Sequence, residues 1–543
     1  MVRWPAEAVE RYRRAGYWRG RPLGDFLTGH AGASGTATAL VSGDRRVTYA
    51  ELDRRAGHLA AGLVDLGVAP GDRIVVQLPN TVDFFVLLFG ALRAGAVPVL
   101  GLPAYRRSEA VHLCGHSGAV AYVVPDTDPA TGFDYRELAR EVAERSPGLR
   151  HVLVAGDAGP YTSLAGVEEA GRDRPGPVAF PAPDPQDPAV LLVSGGTTGL
   201  PKLIPRTHDD YAYNIRASAE LCGLDRDTVY LAALPVAHNF ALACPGVLGT
   251  LHAGGTVVLS PSPDPDTAFP LIERHRVTLT AVVPPLAALW SQAAEWAPED
   301  LGSLALLQVG GARLGPEAAR QVRSALDCEL QQVFGMAEGL LSMTRPGDDP
   351  ERTATTQGRP LSPDDEVRVV DADGADVPPG TVGELLTRGP YTLRGYYRAE
   401  EYNRTAFTED GFYRTGDLVR VLPDGDIVIE GRKKDLVNRG GDKVSSDELE
   451  GHLRAHPAVL DAAVVPVPDE YLGERTCAWV VLREGHTDLG EPGLDAFLDE
   501  RGLAPYKKPD LVRFIDALPV TGVGKADKRA LARLAAEPAG NGR

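Results

Sequence analysis

Cysteine is scarce in this chain: five in 543 residues, at Cys114, Cys222, Cys244, Cys328 and Cys477. The number is odd, the spacing is wide and no Cys-x-x-Cys pair occurs, which argues against a disulfide framework or a zinc site. Long apolar runs are missing too. No stretch approaches the ~20 residues that a membrane span needs, and the segment Met1–Arg21 mixes charge with aromatics where a secretory signal would carry an apolar core. A cytoplasmic, reducing setting and no membrane partner are therefore expected. Positive charge is in deficit: 56 Lys and Arg face 74 Asp and Glu, a formal net charge of −18. Such a surface repels phosphate backbones, so no nucleic-acid partner is expected. No internal repeat is visible.

What is present is an ordinary globular composition, 43% hydrophobic and 24% charged, in a chain too long for one compact domain. Residues 1–45 read as a docking arm ending in a strand around Thr38, Leu40 and Val41. Thr48 and Glu51 have capping-box spacing and open a helix to about Leu66. Strands at Arg73–Leu78, Val97–Leu100, Val120–Val124 and His151–Val154 then alternate with helices such as Val82–Ala94, which implies a parallel α/β sheet. The proline-rich stretch 171–188 reads as a surface crossover. The α/β pattern resumes with Ala189–Leu192, a helix over Asp209–Leu221, and strands at Val257–Leu259, Leu279–Val283 and Leu306–Val309. From about residue 365, short apolar runs alternate with turns such as Asp373-Gly374 and Asp424-Gly425, a smaller β-rich subdomain. Gly431–Asp435 is charged with little to bury and is a candidate hinge. Beyond it Ser445 and Glu448 are placed to cap a helix, and Val464–Val467 and Cys477–Leu482 read as strands of a separate domain. The expected fold is α/β: a large N-terminal domain (1–431) of α/β subdomains plus a small β-rich subdomain, a hinge (432–436), and a small, mobile α+β C-terminal domain (437–543).

The stretch richest in chemistry is Val193-Ser194-Gly195-Gly196-Thr197-Thr198-Gly199-Leu200-Pro201-Lys202. Its glycines let the backbone approach a ligand, and successive N–H groups can form an anion-binding concavity. The hydroxyls of Ser194, Thr197 and Thr198 and the charge of Lys202 add what a polyphosphate needs. The P-loop of NTPases has Gly, Lys and Ser/Thr consecutive, whereas Leu200 and Pro201 separate Gly199 from Lys202 here.

This run resembles the phosphate loop of the adenylate-forming superfamily, which holds acyl-CoA synthetases, firefly luciferase and the adenylation domains of nonribosomal peptide synthetases. The resemblance extends over almost the whole chain and implies ATP and Mg²⁺ as cofactors. It implies that Glu338, in Gln332-Val333-Phe334-Gly335-Met336-Ala337-Glu338, coordinates Mg²⁺, an ion that takes a carboxylate together with substrate phosphates. Gln332, Val333, Phe334, Gly335, Met336 and the backbone of Gly310-Gly311-Ala312 are implied at the nucleotide. Asp417, closing Tyr413–Asp417, is implied to accept from both ribose hydroxyls, with Arg432 assisting at ribose or phosphate and Lys434 as the hinge residue. Lys525, in Pro519-Val520-Thr521-Gly522-Val523-Gly524-Lys525, is implied to bridge the acyl carboxylate and the α-phosphate. Asn438–Val444 resembles the loop that the small domain presents for thiol transfer.

His238-Asn239-Phe240 resembles the stand-alone aryl-acid AMP ligases of siderophore pathways. His238 then joins Lys525 and Glu338 as a catalytic residue, and Asn239 hydrogen-bonds an ortho hydroxyl on a benzoate. Phe240, Cys244 and Leu341 complete the aryl pocket. Cys244 and Leu341 occupy positions that are typically Cys and Leu in salicylate enzymes, and Ser and Val in 2,3-dihydroxybenzoate enzymes. The expected activity is therefore salicylate activation to aryl-AMP, followed by transfer to the phosphopantetheine thiol of an aryl carrier protein. The alternatives are a 2,3-dihydroxybenzoate-AMP ligase or a benzoate-type acyl-CoA ligase. A non-catalytic nucleotide-binding regulator is disfavoured by the presence of Glu338 and Lys525. With no carrier domain after the small domain, a stand-alone enzyme is expected.

Overall fold

The computed structural model describes residues 2–180, 182–194, 201–311, 313–432, 436–486, 489–519 and 526–536, with backbone only at 431, 432, 436, 447 and 529. Among them are four sheets. The first runs Thr162–Ser163, His151–Ala155, Ala121–Pro125, Arg73–Val76, Val97–Leu100, Pro188–Val193, Leu203–Thr207 from edge to edge. It is parallel except for the last pair, a hairpin. The second has nine strands. Its parallel centre is Glu329–Gly335, Leu306–Gly310, Leu279–Val282, Val229–Ala232, Thr256–Leu259 and Thr38–Ser42, with antiparallel strands at both edges.

The two sheets share one core. Along Arg73–Val76, Ile74 and Val76 enter it while Val75 faces the opposite side. Along Thr256–Leu259, Val257 and Leu259 enter it and Val258 turns away. This is the period of two that a strand imposes. Helix Val82–Arg93 reads Val-Asp-Phe-Phe-Val-Leu-Leu-Phe and is apolar nearly all round, because it packs into that shared core. The α/β reading is thus what the chain folds into. The strands expected in the N-terminal portion hold within a residue or two, the one expected to reach Leu78 stopping at Val76, whereas those expected at Val464–Val467 and Cys477–Leu482 span Val459–Asp469 and Gly473–Leu482. The arm contains two helices that the pattern did not reveal, Ala6–Arg14 and Asp25–Ser34. It docks through Trp18, whose indole N–H donates to the Pro390 carbonyl at 3.0 Å.

Both expected helix starts are capped by the hydroxyl alone. Thr48 Oγ1 accepts from Glu51 N at 3.1 Å, but the Glu51 carboxylate pairs with Arg45 instead of returning to the cap. Ser445 Oγ accepts from Glu448 N at 3.2 Å and caps helix Ser446–Arg454. The Glu448 carboxylate is held elsewhere, by Lys507.

The third sheet, Glu366–Val370, Gly383–Arg388, Tyr413–Val421 and Ile427–Arg432, forms the expected β-rich subdomain and is wholly antiparallel. The fourth sheet begins at Leu436–Arg439 and includes Val459–Asp469, Gly473–Leu482 and Leu511–Phe514, with separate apolar clusters on its two faces. It meets the first sheet's layer through a buried charge node. Lys507 Nζ lies 3.0 Å from Glu448 Oε1 and 3.1 Å from Glu109 Oε1, and Glu109 sits on helix Arg107–Ser117, flanking the first sheet. Exposures are 4%, 8% and 0% for Lys507, Glu448 and Glu109. Burial pulls the Lys507 ammonium down, but the two carboxylates outweigh it and hold its pKa above the ordinary value. Ser108 N also donates to Gly502 O at 3.4 Å across the same contact.

Removing the cation would strand two buried carboxylates. Lys507→Ala should cost about 3–5 kcal/mol, the range for breaking a buried pair. The measurable outcomes are a fall in melting temperature and faster proteolysis between residues 432 and 436. An unchanged protein on both counts would show that the node is dispensable.

Candidate active site

A cavity of about 390 Å³ lies at the carboxyl ends of the parallel strands of the second sheet, where open α/β sheets bind ligands. Its floor comes from Gly311, Val333, Gly335 and Met336, at the ends of Leu306–Gly310 and Glu329–Gly335. Ser194 and Lys202, from the first sheet's hairpin, form one wall, and Tyr413–Asp417 of the third sheet another. Gly441, Asp442, Lys443 and Tyr506 of the fourth sheet's domain close over it. Close approach explains two glycines. A Cβ on Gly310 would sit 2.7 Å from Val333 O and 2.9 Å from the Phe240 ring. Gly441 has φ +102°, and a Cβ there would meet Val283 Cγ1 at 2.7 Å.

Most of the expected site residues converge here. Ser194, Lys202, Gly311, Val333, Gly335, Met336, Glu338, Asp417, His238, Asn239, Phe240, Cys244 and Leu341 all line the cavity. Ser194 N donates to Lys202 O at 2.9 Å and Lys202 N to Ser194 Oγ at 3.1 Å, so the two ends of the Gly-rich run are pinned together. The Lys202 ammonium rests 4.0 Å from the Tyr402 ring centroid. Glu338 Oε1 accepts from Tyr396 OH at 2.8 Å, and that hydroxyl is 2.8 Å from Tyr413 OH. Asp417 is buried, and its strand pairs with Arg432.

Two side chains point elsewhere. Gln332 donates to Thr353 O at 2.7 Å and accepts from Gln357 Nε2 at 3.0 Å, on the far side of its strand. Phe334 packs with Leu340, Val369 and Leu385 in the core of the third sheet. On a strand, Val333 and Gly335 facing the cavity oblige Gln332 and Phe334 to face away. Neither Gln332 nor Phe334 brings its side chain to the cavity. Gly195, Gly196, Thr197, Thr198, Gly199, Ala312, Lys434 and Lys525 lie outside the described residues, as does the Arg432 side chain. Sequence reasoning missed Tyr396, Tyr402 and Glu384, which also line the cavity. The only available signal was the tyrosine-rich stretch Tyr396, Tyr397, Tyr402.

The aryl end is a hydrogen-bonded turn. His238 caps helix Asn239–Ala243, its Nδ1 accepting from Phe240 N at 3.3 Å. Asn239 Oδ1 accepts from Tyr211 OH at 2.8 Å, and Asn239 Nδ2 lies 3.5 Å from Cys244 Sγ. Burial pushes the Cys244 thiol up to about 12, so it keeps its hydrogen, which it donates to Asn239 O at 3.4 Å. Among the described residues, no cluster of three or more His, Cys, Asp or Glu could hold a metal. Four carboxylates, Glu338, Glu384, Asp417 and Asp442, line the cavity, and a single carboxylate with phosphate and water oxygens is a donor set that suits Mg²⁺.

Residues 27–397 match the AMP-binding enzyme family, and residues 448–525 match the AMP-binding enzyme C-terminal domain. The chain belongs to the AMP-binding enzyme family. Among its relatives is the 2,3-dihydroxybenzoate-AMP ligase of Bacillus subtilis, 54% identical over 528 residues, 97% of this chain and 96% of that protein. Another is the salicyl-AMP ligase / salicyl-S-ArCP synthetase of Mycobacterium tuberculosis, 53% identical over 539 residues, 98% and 94% of the two chains. The apo structure of MbtA from Mycobacterium smegmatis superposes with a TM-score of 0.76 at 53% identity and covers 98% of each chain. The α/β N-terminal portion with a small C-terminal domain is that family's fold. No helix among the described residues is long and apolar enough to cross a membrane.

In this AMP-binding enzyme the His238 ring is open to the cavity but walled in by protein. That enclosure, with Lys443 adding positive charge, lowers its pKa to about 4. The folded state therefore holds a neutral imidazole where the unfolded chain binds a proton near 6.5. Acidification from about 6.5 towards 4 then favours the unfolded chain. Histidine NMR should show the His238 ring signals flat between about pH 5.5 and 8, where an ordinary histidine titrates. A midpoint near 6.5 would show that the enclosure does not hold in solution.

Proposed function

We propose that this enzyme is an aryl-acid AMP ligase that activates an ortho-hydroxybenzoate with ATP and passes the aryl group to a carrier-protein thiol, in siderophore or related nonribosomal peptide biosynthesis. The observation that carries the reading is Asn239, a carboxamide 8% exposed between Phe240, Cys244 and Leu341, in the same cavity as Glu338 and Asp417. A polar group in an apolar pocket rejects ligands that leave it unpaired. The relatives' names support the same class.

Adenylation joins two anions, a carboxylate and the α-phosphate of ATP, with pyrophosphate leaving. The Gly-rich run and Lys202 bind phosphate, and Asp417 orients the ribose. Glu338, oriented by Tyr396, would hold Mg²⁺, which neutralises phosphate charge when bound. His238, neutral at working pH, adds no charge beside the substrate carboxylate. Lys525 bridges carboxylate and α-phosphate as a point charge on a flexible stem. Gly441–Lys443 over the cavity supports reading the present domain arrangement as the one that serves thiol transfer. Residues 432–436, with Lys434, are then the hinge on which the small domain turns to bring in Lys525 for adenylation. Lys525→Ala should lower ATP–pyrophosphate exchange by roughly 10²–10³, the loss seen for one transition-state donor, while transfer from supplied aryl-AMP stays near normal. Equal losses in both assays would refute this division of labour.

For the acid itself, two observations pull apart. The relative at 54% identity is a 2,3-dihydroxybenzoate enzyme, so that acid is the reading overall similarity favours. Cys244 and Leu341 favour salicylate. The thiol hydrogen is already engaged by Asn239 O, and sulfur is a weak partner for a second phenol. A 3-hydroxyl poorly paired there costs about 1–3 kcal/mol, a preference and not an exclusion. ATP–pyrophosphate exchange across hydroxybenzoates should show both acids used, with salicylate ahead in kcat/KM and Cys244→Ser/Leu341→Val moving the preference towards dihydroxybenzoate. A wild type that prefers the catechol acid severalfold would assign it to the dihydroxybenzoate ligases. Turnover with free coenzyme A and none with a carrier would assign it to the CoA ligases.

A further inference from the structure

Of the groups buried around the cavity, Tyr211 has a polar atom that the reaction above does not use. It lies on helix His208–Leu221, is 0% exposed, and its ring is covered by the Arg206 guanidinium at 4.6 Å. Arg206 is itself fixed by Asp210 at 2.8 Å. The Tyr211 hydroxyl, so placed, contacts Asn239 Oδ1 at 2.8 Å.

The hydrogen-bond chain sets which end of the Asn239 carboxamide faces which neighbour. Cys244 Sγ–H donates to the Asn239 backbone carbonyl at 3.4 Å. With its hydrogen engaged there, the sulfur acts towards the side chain as an acceptor, and it lies 3.5 Å from Asn239 Nδ2. The amide nitrogen is therefore on the Cys244 side. Oδ1 is on the Tyr211 side, where the hydroxyl donates to it. The carbonyl end is capped, and the nitrogen retains an N–H for the cavity that Asn239 and Cys244 both line.

We propose that Tyr211 is a positioning residue that locks the Asn239 carboxamide with its N–H towards the ligand, so that the pocket selects aryl acids whose ortho substituent accepts a hydrogen bond. The proposal rests on the aryl-acid reading and deepens it. In an ortho-hydroxybenzoate the phenolic hydrogen is drawn to the adjacent carboxylate, and the oxygen presents lone pairs outwards. In an ortho-aminobenzoate one N–H turns to the carboxylate and the other points outwards, donor against donor. Without the Tyr211 hydroxyl, Oδ1 loses its partner and the carboxamide can turn over to accept from an amino group.

The test is the ratio of kcat/KM for salicylate and anthranilate by ATP–pyrophosphate exchange. Tyr211→Phe keeps the ring and its contact with Arg206, so packing is conserved. Wild type should favour salicylate strongly, and Tyr211→Phe should narrow the ratio about tenfold or more, the effect of one mispaired buried group, mainly through a gain for anthranilate. Asn239→Asp presents only acceptors when its carboxyl is ionised, so its ratio is read across a pH series extended to the alkaline side, above the range to which burial and the substrate carboxylate raise that carboxyl. It should invert the preference whatever residue 211 is, since repulsion of the shared carboxylate cancels in the ratio. Adding Tyr211→Phe to it should change the ratio no further. An unchanged ratio in Tyr211→Phe, or equal loss of both acids, would overturn the role of Tyr211. Preference for salicylate retained in Asn239→Asp at every pH of that series, a result that does not depend on how Tyr211→Phe folds, would overturn the locked N–H. A wild type that forms neither aryl adenylate would overturn the aryl-acid reading, and this inference with it.

Discussion

Lys507, sealed between Glu109 and Glu448, is the contact that holds the small domain over the site in the arrangement seen here. Charges this deeply buried are tolerated only in company. Glu109 belongs to the first sheet's helix layer, while Glu448 and Lys507 belong to the small domain, so the node forms when the two are docked as they are here. With it formed, Gly441–Lys443 sit over the cavity and Lys443 reaches the field of His238. The same helix, Arg107–Ser117, carries His112, whose Nε2 is 2.8 Å from the Pro201 carbonyl beside Lys202. One helix thus touches both the small domain and the end of the Gly-rich run.

The cavity divides into a wet half and a dry half along the chain's own chemistry. Ser194, Lys202, Glu338 and Asp417 gather hydrogen-bonding and charged groups in one half, where the proposed reaction would place phosphate and ribose. Phe240, Cys244 and Leu341 make the other half apolar, with the Asn239 carboxamide set among them. An unpaired amide there would cost folding energy. Tyr211 and Cys244 satisfy it before any ligand arrives, which makes the pocket pre-formed.

The elements that local pattern specifies were legible: helix Tyr49–Asp65 from Thr48 and Glu51, strand Pro188–Val193 from its apolar run, the β-rich third sheet from its turns. Ser194, Asn239, Glu338 and Asp417, singled out by motif, do lie around one cavity. What pattern cannot show is the partner of a side chain distant in sequence. Glu448 looked like a cap residue and is an ion-pair residue, because Lys507 lies beside it in space. Tyr211 looked like one more helix residue and holds Asn239. Gln332 and Phe334 could have been sorted from Val333 and Gly335 by the two-residue period of the strand alone.

The central claim is that one cavity holds an aryl group at Asn239 and a nucleotide at Asp417 together. A crystal structure with a non-hydrolysable salicyl-adenylate analogue tests it most directly. The account predicts the ring between Phe240 and Leu341, its ortho oxygen within ~3.2 Å of Asn239 Nδ2, and both ribose hydroxyls on Asp417. An analogue whose ring lies outside that pocket, or whose ribose does not touch Asp417, would contradict it.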